Sequence, residues 1–338
     1  MTDFTSLTDV RVAATALVRP DQDAIERARA HQEQLTKPPG SLGRLEELAA
    51  FLAGWQRRAE PRLERVQALV FAGNHGVCAQ GVSAFPQSVT AQMVANFRTG
   101  GAAINQLCNA YGAALSVIDL DLDRPTVDFT TAPALTEAEC LAALTAGANA
   151  VDPEADLLLL GEMGIGNSTV AAALACALYG GSAGDWVGPG TGVDTAGLDR
   201  KRQAVEKGLE RHKDPLGDPL NVLTALGGRE QAAIAGAVLA ARRHSVPVIL
   251  DGFICTASAA VLVKLDPAGL DHCLAGHCSA EPGHARLLAH IGKEPVIRLD
   301  MRLGEGTGAA MALGVLRGAV ACHSGMATFA SAGVDSGS

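Results

Sequence analysis

A chain of 338 residues with 48% hydrophobic and only 4% aromatic residues can bury a large core, and its Ala- and Gly-rich makeup excludes general disorder and suits helices on a sheet better than an all-β sandwich. The formal charge of −9, with no long basic run, excludes a broad nucleic-acid footprint but leaves room for a local site for one anionic small molecule. No basic stretch followed by an apolar core opens the chain, and later apolar runs are broken by charges, so a soluble, cytoplasmic protein with no membrane segment is expected.

In chain order, Asp21 starts a helical pattern that runs through Gln34, and Lys37-Pro-Pro-Gly-Ser41 interrupts it before a second helix near Leu42. Val66 to Ala72 reads as a buried strand ending at Gly73-Asn-His-Gly76, where an open parallel sheet places ligand loops. Residues 88 to 110 favour one long helix, and Ala114 to Leu120 a second strand. Thr136-Glu-Ala-Glu139 has capping-box spacing before another helix, and Ala155 to Leu160 forms a third strand.

The loop after that strand, Gly161-Glu-Met-Gly-Ile-Gly-Asn-Ser-Thr169, leads into an alanine-rich helix whose first N–H groups, near Asn167 and Ser168, can face a phosphate. It lacks the Gly-Lys-Ser/Thr of a P-loop and the spacing of Gly-x-Gly-x-x-Gly, so an NAD-dependent oxidoreductase stands only as an alternative. A second glycine loop, Trp186 to Val193, brings Gly188, Gly190 and Gly192 ahead of Leu198-Asp-Arg-Lys-Arg202, a polar helical surface from which Lys201 can neutralise phosphate. A solvent loop followed by a solvated basic turn is the plainer reading of the same residues.

Asp218-Pro219 starts a helix, Gly227-Gly228 separates it from another over residues 230 to 242, and Val246 to Leu250 is a strand ending at Asp251, a residue expected to orient a loop. His272, Cys273, His277 and Cys278 form the one local cluster that invites a metal, but their spacing does not match a structural zinc site, and no metal is assigned. The eight cysteines are widely spread and read mostly as free thiols. Glu294 to Leu299 is a last strand before Arg302-Leu-Gly-Glu-Gly-Thr-Gly308, and residues 333 to 338 look like a tail. In that glycine-flanked turn Glu305 precedes a small-residue helix over 307 to 320, and reads either as a general base or as a helix-start carboxylate facing free N–H groups. The alternation of strand and helix predicts a doubly wound α/β core capped by terminal helices.

Four segments in this order, Lys37-Pro-Pro-Gly-Ser-Leu-Gly-Arg-Leu-Glu46, Gly73-Asn-His-Gly76, Gly161 to Thr169 and Arg302 to Gly308, resemble the family of nicotinate-nucleotide:dimethylbenzimidazole phosphoribosyltransferases over nearly the whole chain. The resemblance implies a homodimer with a Rossmann-like, mostly parallel sheet domain over residues 61–304, and a smaller helical domain from residues 1–60 and 305–338. It implies transfer of the 5-phosphoribosyl group from nicotinate mononucleotide, a substrate and not a cofactor, to 5,6-dimethylbenzimidazole, giving α-ribazole 5′-phosphate and nicotinate.

Glu305 then matches the catalytic glutamate, Glu162 a second active-site glutamate and Lys201 the phosphate lysine. Gly164, Gly166, Asn167, Ser168, Thr169, Gly188, Gly190 and Gly192 become phosphate or ribose contacts. His75, Phe85, Pro86, Met93, Met163 and Leu303 become acceptor contacts. Phe85 and Met93 replace polar side chains found at matching positions in some members, which leaves open transfer to another benzimidazole or a purine-like base. A Phe-and-Met core is their plainer reading. A nucleotide sensor using Glu305 structurally is the nonenzymatic alternative.

Overall fold

The computed structural model describes residues 2–16, 18–190, 192–214 and 217–335. Apolar runs in it become six strands: β1 (Val66–Ala72), β2 (Ala114–Asp119), β3 (Leu157–Met163), β4 (Val248–Leu250), β5 (Cys273–His277) and β6 (Pro295–Ile297). Every neighbouring pair is parallel, in the order β2-β1-β3-β4-β5-β6. Parallel strands require crossovers, and helices supply them. Helices α1 (Leu7–Thr15), α2 (Gln22–Gln34) and α3 (Arg44–Gln56) precede β1, and α4 (Ser88–Thr99) with α5 (Ala103–Tyr111) links it to β2. Next, α6 (Glu137–Ala150) leads to β3, and α7 (Asn167–Tyr179), α8 (Thr195–Arg211), α9 (Pro219–Leu226) and α10 (Arg229–Arg243) lead to β4. Finally α11 (Phe253–Val263) and α12 (Pro282–His290) flank β5, and α13 (Thr307–Gly325) and α14 (Phe329–Ala332) follow β6.

The period-two alternation of the strands divides the core into two layers. Leu69, Phe71, Leu158, Leu160, Val248 and Leu250 face one side, where they pack with α6, α7, α9, α10 and α11. Ala68, Val70, Leu157, Leu159 and Ile249 face the other, against α3, α5 and α13. With both faces covered, the central strands read as continuous apolar runs, and the sheet is doubly wound as the alternation predicts. The terminal elements also meet. Leu35 forms an antiparallel bridge with Thr328, and the Gln32 amide lies 2.7 Å from Nδ1 of the buried His323.

Several expectations are corrected. The single helix over 88 to 110 is two, because Gly100 takes a left-handed φ of 83° and ends α4; a glycine there stops a helix at no steric cost. Strand β3 continues through Gly161, Glu162 and Met163, so Glu162 stands on the strand end and not in the loop. Lys201 is buried and not on a solvated surface. Helix α1, β5 and α12 were not anticipated; β5, Cys-Leu-Ala-Gly-His, lacks the β-branched and aromatic residues that mark strands. Residue 191 of the second glycine loop and residues 336–338 of the expected tail lie outside the described residues.

From β1 the chain winds out to β2 and then returns to β3 on the other side of β1. At such a reversal the crossovers leave in opposite directions, and a crevice opens beyond the strand ends. The loop after β1, at Gly73-Asn-His-Gly76, and the loop after β3, at Gly164 to Gly166, therefore lie at the place where this fold binds ligands.

Candidate active site

A cleft opens beyond the carboxyl ends of β3, β4 and β5. Glu162 and Met163 at the end of β3, Asp251 after β4 and His277 at the end of β5 all wall it. So do Lys201 on α8 and Leu303 and Gly304 after β6.

The turn preceding α13 builds one end. Gly304, Glu305 and Gly306 have φ values of 86°, 64° and 88°, a left-handed run that glycine accepts freely and that costs a glutamate about 1–3 kcal/mol. Such strain persists only where surroundings enforce it, and two contacts do so. The Glu305 N–H donates to the Glu162 carbonyl at 3.2 Å. Asp251 accepts from the N–H groups of Gly306, Gly308 and Ala309 at 3.2, 2.7 and 3.0 Å, capping α13. Asp251, and not Glu305, thus serves the free N–H groups at this helix start. The Glu305 carboxylate instead faces the N–H of Ile104, in the first turn of α5.

The backbones that carry Glu162 and Glu305 are thereby brought together. A Cβ on Gly304 would sit 2.5 Å from Glu162 Oε1, and one on Gly161 would sit 2.5 Å from the Gly306 nitrogen, so only glycine permits this approach. Burial pushes the Glu305 carboxyl above its ordinary range, the charge of Asp251 adds to the rise and the Ile104 N–H opposes it. Burial, then Asp251 and Glu230, hold Glu162 well above that range, while a hydrogen bond from the Asn167 amide works against them. Glu305 Oε2 is buried without a donor among the described residues and is free to accept a proton.

The other end is built for an anion. Helix α7 begins at Asn167 behind Gly166, with no side-chain cap and no acidic residue in its first turn, leaving its positive end open. Lys201 Nζ donates to Ser168 Oγ and to the Gly188 carbonyl, both at 2.9 Å. Burial pulls its ammonium below the usual lysine value, and Glu281 partly restores it. Glu281 also accepts from the Gly190 N–H at 2.7 Å, fixing that loop, and Arg302 Nη1 donates to the Gly190 carbonyl at 3.1 Å.

Of the residues expected in the site, Glu162, Met163, Gly164, Gly166, Asn167, Ser168, Gly190, Lys201 and Leu303 wall the cleft. Glu305 lies immediately behind its Gly304 wall. Gly188 contributes its carbonyl to Lys201, Gly192 closes the turn onto the Pro189 carbonyl, and Thr169 is fully buried in α7. His75 is enclosed behind the β1 loop, where Nε2 makes an off-line contact of 2.7 Å with Glu230. Phe85 and Pro86 are exposed outside the cleft, and Met93 packs against the core layer of α13. Asp251, expected to orient a loop at a ligand-facing strand end, walls the cleft, and so do Phe253, His277, Ser279 and Glu281, which were not assigned to it. The ends of β4 and β5 were their signal, and β5 was hidden inside the His and Cys cluster. The strand pulls that cluster apart: His272 bonds the Val238 carbonyl at 3.0 Å, whereas His277 faces the cleft.

Comparison with known proteins covers the whole chain. The model of a phosphoribosyltransferase family matches residues 17–334. A nicotinate-nucleotide–dimethylbenzimidazole phosphoribosyltransferase of Cereibacter sphaeroides is 60% identical over 334 residues, 99% of each chain. One of the same name from Novosphingobium aromaticivorans is 59% identical over 337 residues, 100% of each. The crystal structure of CobT from Thermus thermophilus superposes with a TM-score of 0.86 at 45% identity, over 93% of this chain and all of that one. The chain belongs to the phosphoribosyltransferase family of which these nicotinate-nucleotide–dimethylbenzimidazole enzymes are members.

Proposed function

We propose that the protein transfers the 5-phosphoribosyl group of nicotinate mononucleotide to 5,6-dimethylbenzimidazole, releasing nicotinate and forming α-ribazole 5′-phosphate. The observation that carries this reading is a cleft walled by the buried Glu162 at one end, with the turn of the buried Glu305 hydrogen-bonded directly behind it, and by a buried lysine and an uncapped helix start at the other. Relatives sharing about 60% of the sequence bear the name of this activity.

In the donor the pyridine nitrogen is quaternary, so the C1′–N bond breaks with its electron pair returning to a neutral ring, and no general acid is needed. One benzimidazole nitrogen attacks C1′ from the opposite face and forms the new bond, converting the β donor into an α product by a single inversion. The proton on the other benzimidazole nitrogen passes to Glu305. A carboxylate raised towards neutrality by burial is a stronger base than an exposed one, and a positioned base contributes about 10²–10⁴-fold. Glu162 lies where it can face positive charge on the ribose or orient the acceptor. Lys201, Ser168 and the start of α7 receive the phosphate, whose binding holds C1′ in register. The chemistry calls for no redox cofactor or catalytic metal.

The proposal extends to a cytoplasmic homodimer divided into a sheet domain and a smaller domain of terminal helices. Phe85, Leu299 and Leu303 expose 48, 54 and 52% of their surface, apolar area suited to a second copy. Among the described residues no helix is long and apolar enough to cross a membrane. Incubation with nicotinate mononucleotide and dimethylbenzimidazole tests the activity. Equimolar nicotinate and α-phosphoribosyl product are expected, and folded protein that yields neither contradicts the reading.

A further inference from the structure

His277 ends β5 in the wall of the cleft, yet it is only 1% exposed, and neither ring nitrogen has a hydrogen-bond partner among the described residues. Its neighbours are otherwise satisfied. His284 receives the Ser279 N–H at 2.9 Å and lies 3.1 Å from the Thr256 hydroxyl. Asp251 Oδ1 is 3.7 Å from His277 Nδ1, beyond hydrogen-bond reach, and is occupied by the Gly308 and Ala309 N–H groups. Gly308 packs flat on the imidazole, where any Cβ would collide with the ring, so the ring is held in place while its polar atoms go unused. Native proteins leave few buried polar atoms unpaired, and those facing a cavity await a ligand or a water.

The position of His277 identifies the ligand group. On one side its neighbour Asp251 caps the Glu305 turn; on the other, Ser279 leads to Glu281, whose carboxylate holds Gly190 at the phosphate end. The part of a nucleotide that spans from its reacting carbon to its phosphate is the ribose. An imidazole offers a donor and an acceptor, as does a sugar hydroxyl, whereas a phosphate or a carboxylate asks for the cations found elsewhere in the cleft. We infer that His277 hydrogen-bonds a ribose hydroxyl of the donor and so positions the sugar for attack. This rests on the phosphoribosyl-transfer reading above.

The test compares dissociation constants of nicotinate mononucleotide and its 2′-deoxy and 3′-deoxy analogues for the unmodified protein and for His277→Asn and His277→Phe. Binding is insensitive to the altered glycosidic reactivity of deoxy sugars. One deoxy analogue is expected to bind the unmodified protein about 10-fold more weakly than the parent, with that penalty abolished in His277→Phe. The penalty should be partly kept in His277→Asn, a coupling that a merely structural histidine would not show. If neither variant folds, His277→Gln, which keeps a donor and an acceptor in similar space, takes their place, and a reduced penalty is expected there too. Equal binding of all three nucleotides, or a penalty that survives unchanged in His277→Phe, overturns the inference while leaving phosphoribosyl transfer standing. Failure of the parent nucleotide to bind folded protein overturns both.

Discussion

Glu305 combines three features that ordinary surface glutamates lack: a left-handed backbone, a raised pKa and a buried oxygen without a donor. Its sequence surroundings showed that the carboxylate was special but not which of two roles it held. That depended on Asp251, 54 positions earlier, taking over the start of α13. Lys201 carries a second expectation at this scale. Because its buried ammonium already spans Ser168 and Gly188, Lys201→Met preserves most of the volume and removes the charge together with its hydrogen-bond donors. Calorimetric titration should show donor binding weakened about 10- to 100-fold, as expected for losing charged hydrogen bonds, with little change in kcat at saturating donor. An unchanged donor affinity would remove Lys201 from the phosphate site.

Among the elements, β3 and the turn before α13 act as one unit, since Gly161 and Gly306 touch backbone to backbone. Gly161→Ala has no flexible neighbour to push aside, so it must separate Glu162 from the Glu305 turn. Displacements of this kind, near 1 Å, cost about 10²-fold in rate. The variant should therefore fold, bind donor and lose about that much turnover; wild-type turnover would show that the close approach has no catalytic consequence. Strong local patterns made most elements legible: β1 matches its expected bounds, and the Thr136 and Asp218 caps begin α6 and α9. Elements without such patterns were missed. The break at Gly100 was hidden in a continuous helical periodicity, and β5 in residues that resemble metal ligands.

For the molecule as a whole, parallel winding explains why a site scattered from Glu162 to Glu305 was only partly readable. Loops following strands could be named from sequence, Asp251 at its ligand-facing strand end among them, but which strands are neighbours could not, so His277 was not assigned to a cleft that β4 and β5 help to form. Gathering several acids there leaves a signature in stability. Glu162, Asp251 and Glu305 all have raised folded pKa values, so the folded chain holds protons that the unfolded chain has released. Their contribution to stability is therefore present at acid pH and declines as pH rises above the ordinary carboxylate range. Glu162→Gln cannot lose that proton. Denaturant unfolding should show its stability relative to the unmodified protein increasing as pH rises above the ordinary carboxylate range, and a constant difference would mean that Glu162 is not held protonated.

Glu305 is proposed to accept the proton released by the attacking base, and Glu305→Gln tests this role because the amide keeps the shape and loses the basicity. Donor affinity and single-turnover phosphoribosyl transfer should be measured together across pH. An unchanged donor dissociation constant and a transfer rate lowered about 10²–10⁴-fold are expected. The rise in rate expected of the unmodified enzyme as pH climbs through the raised carboxylate pKa should also be lost. Transfer by Glu305→Gln at the unmodified rate, with the same pH dependence, would contradict this role.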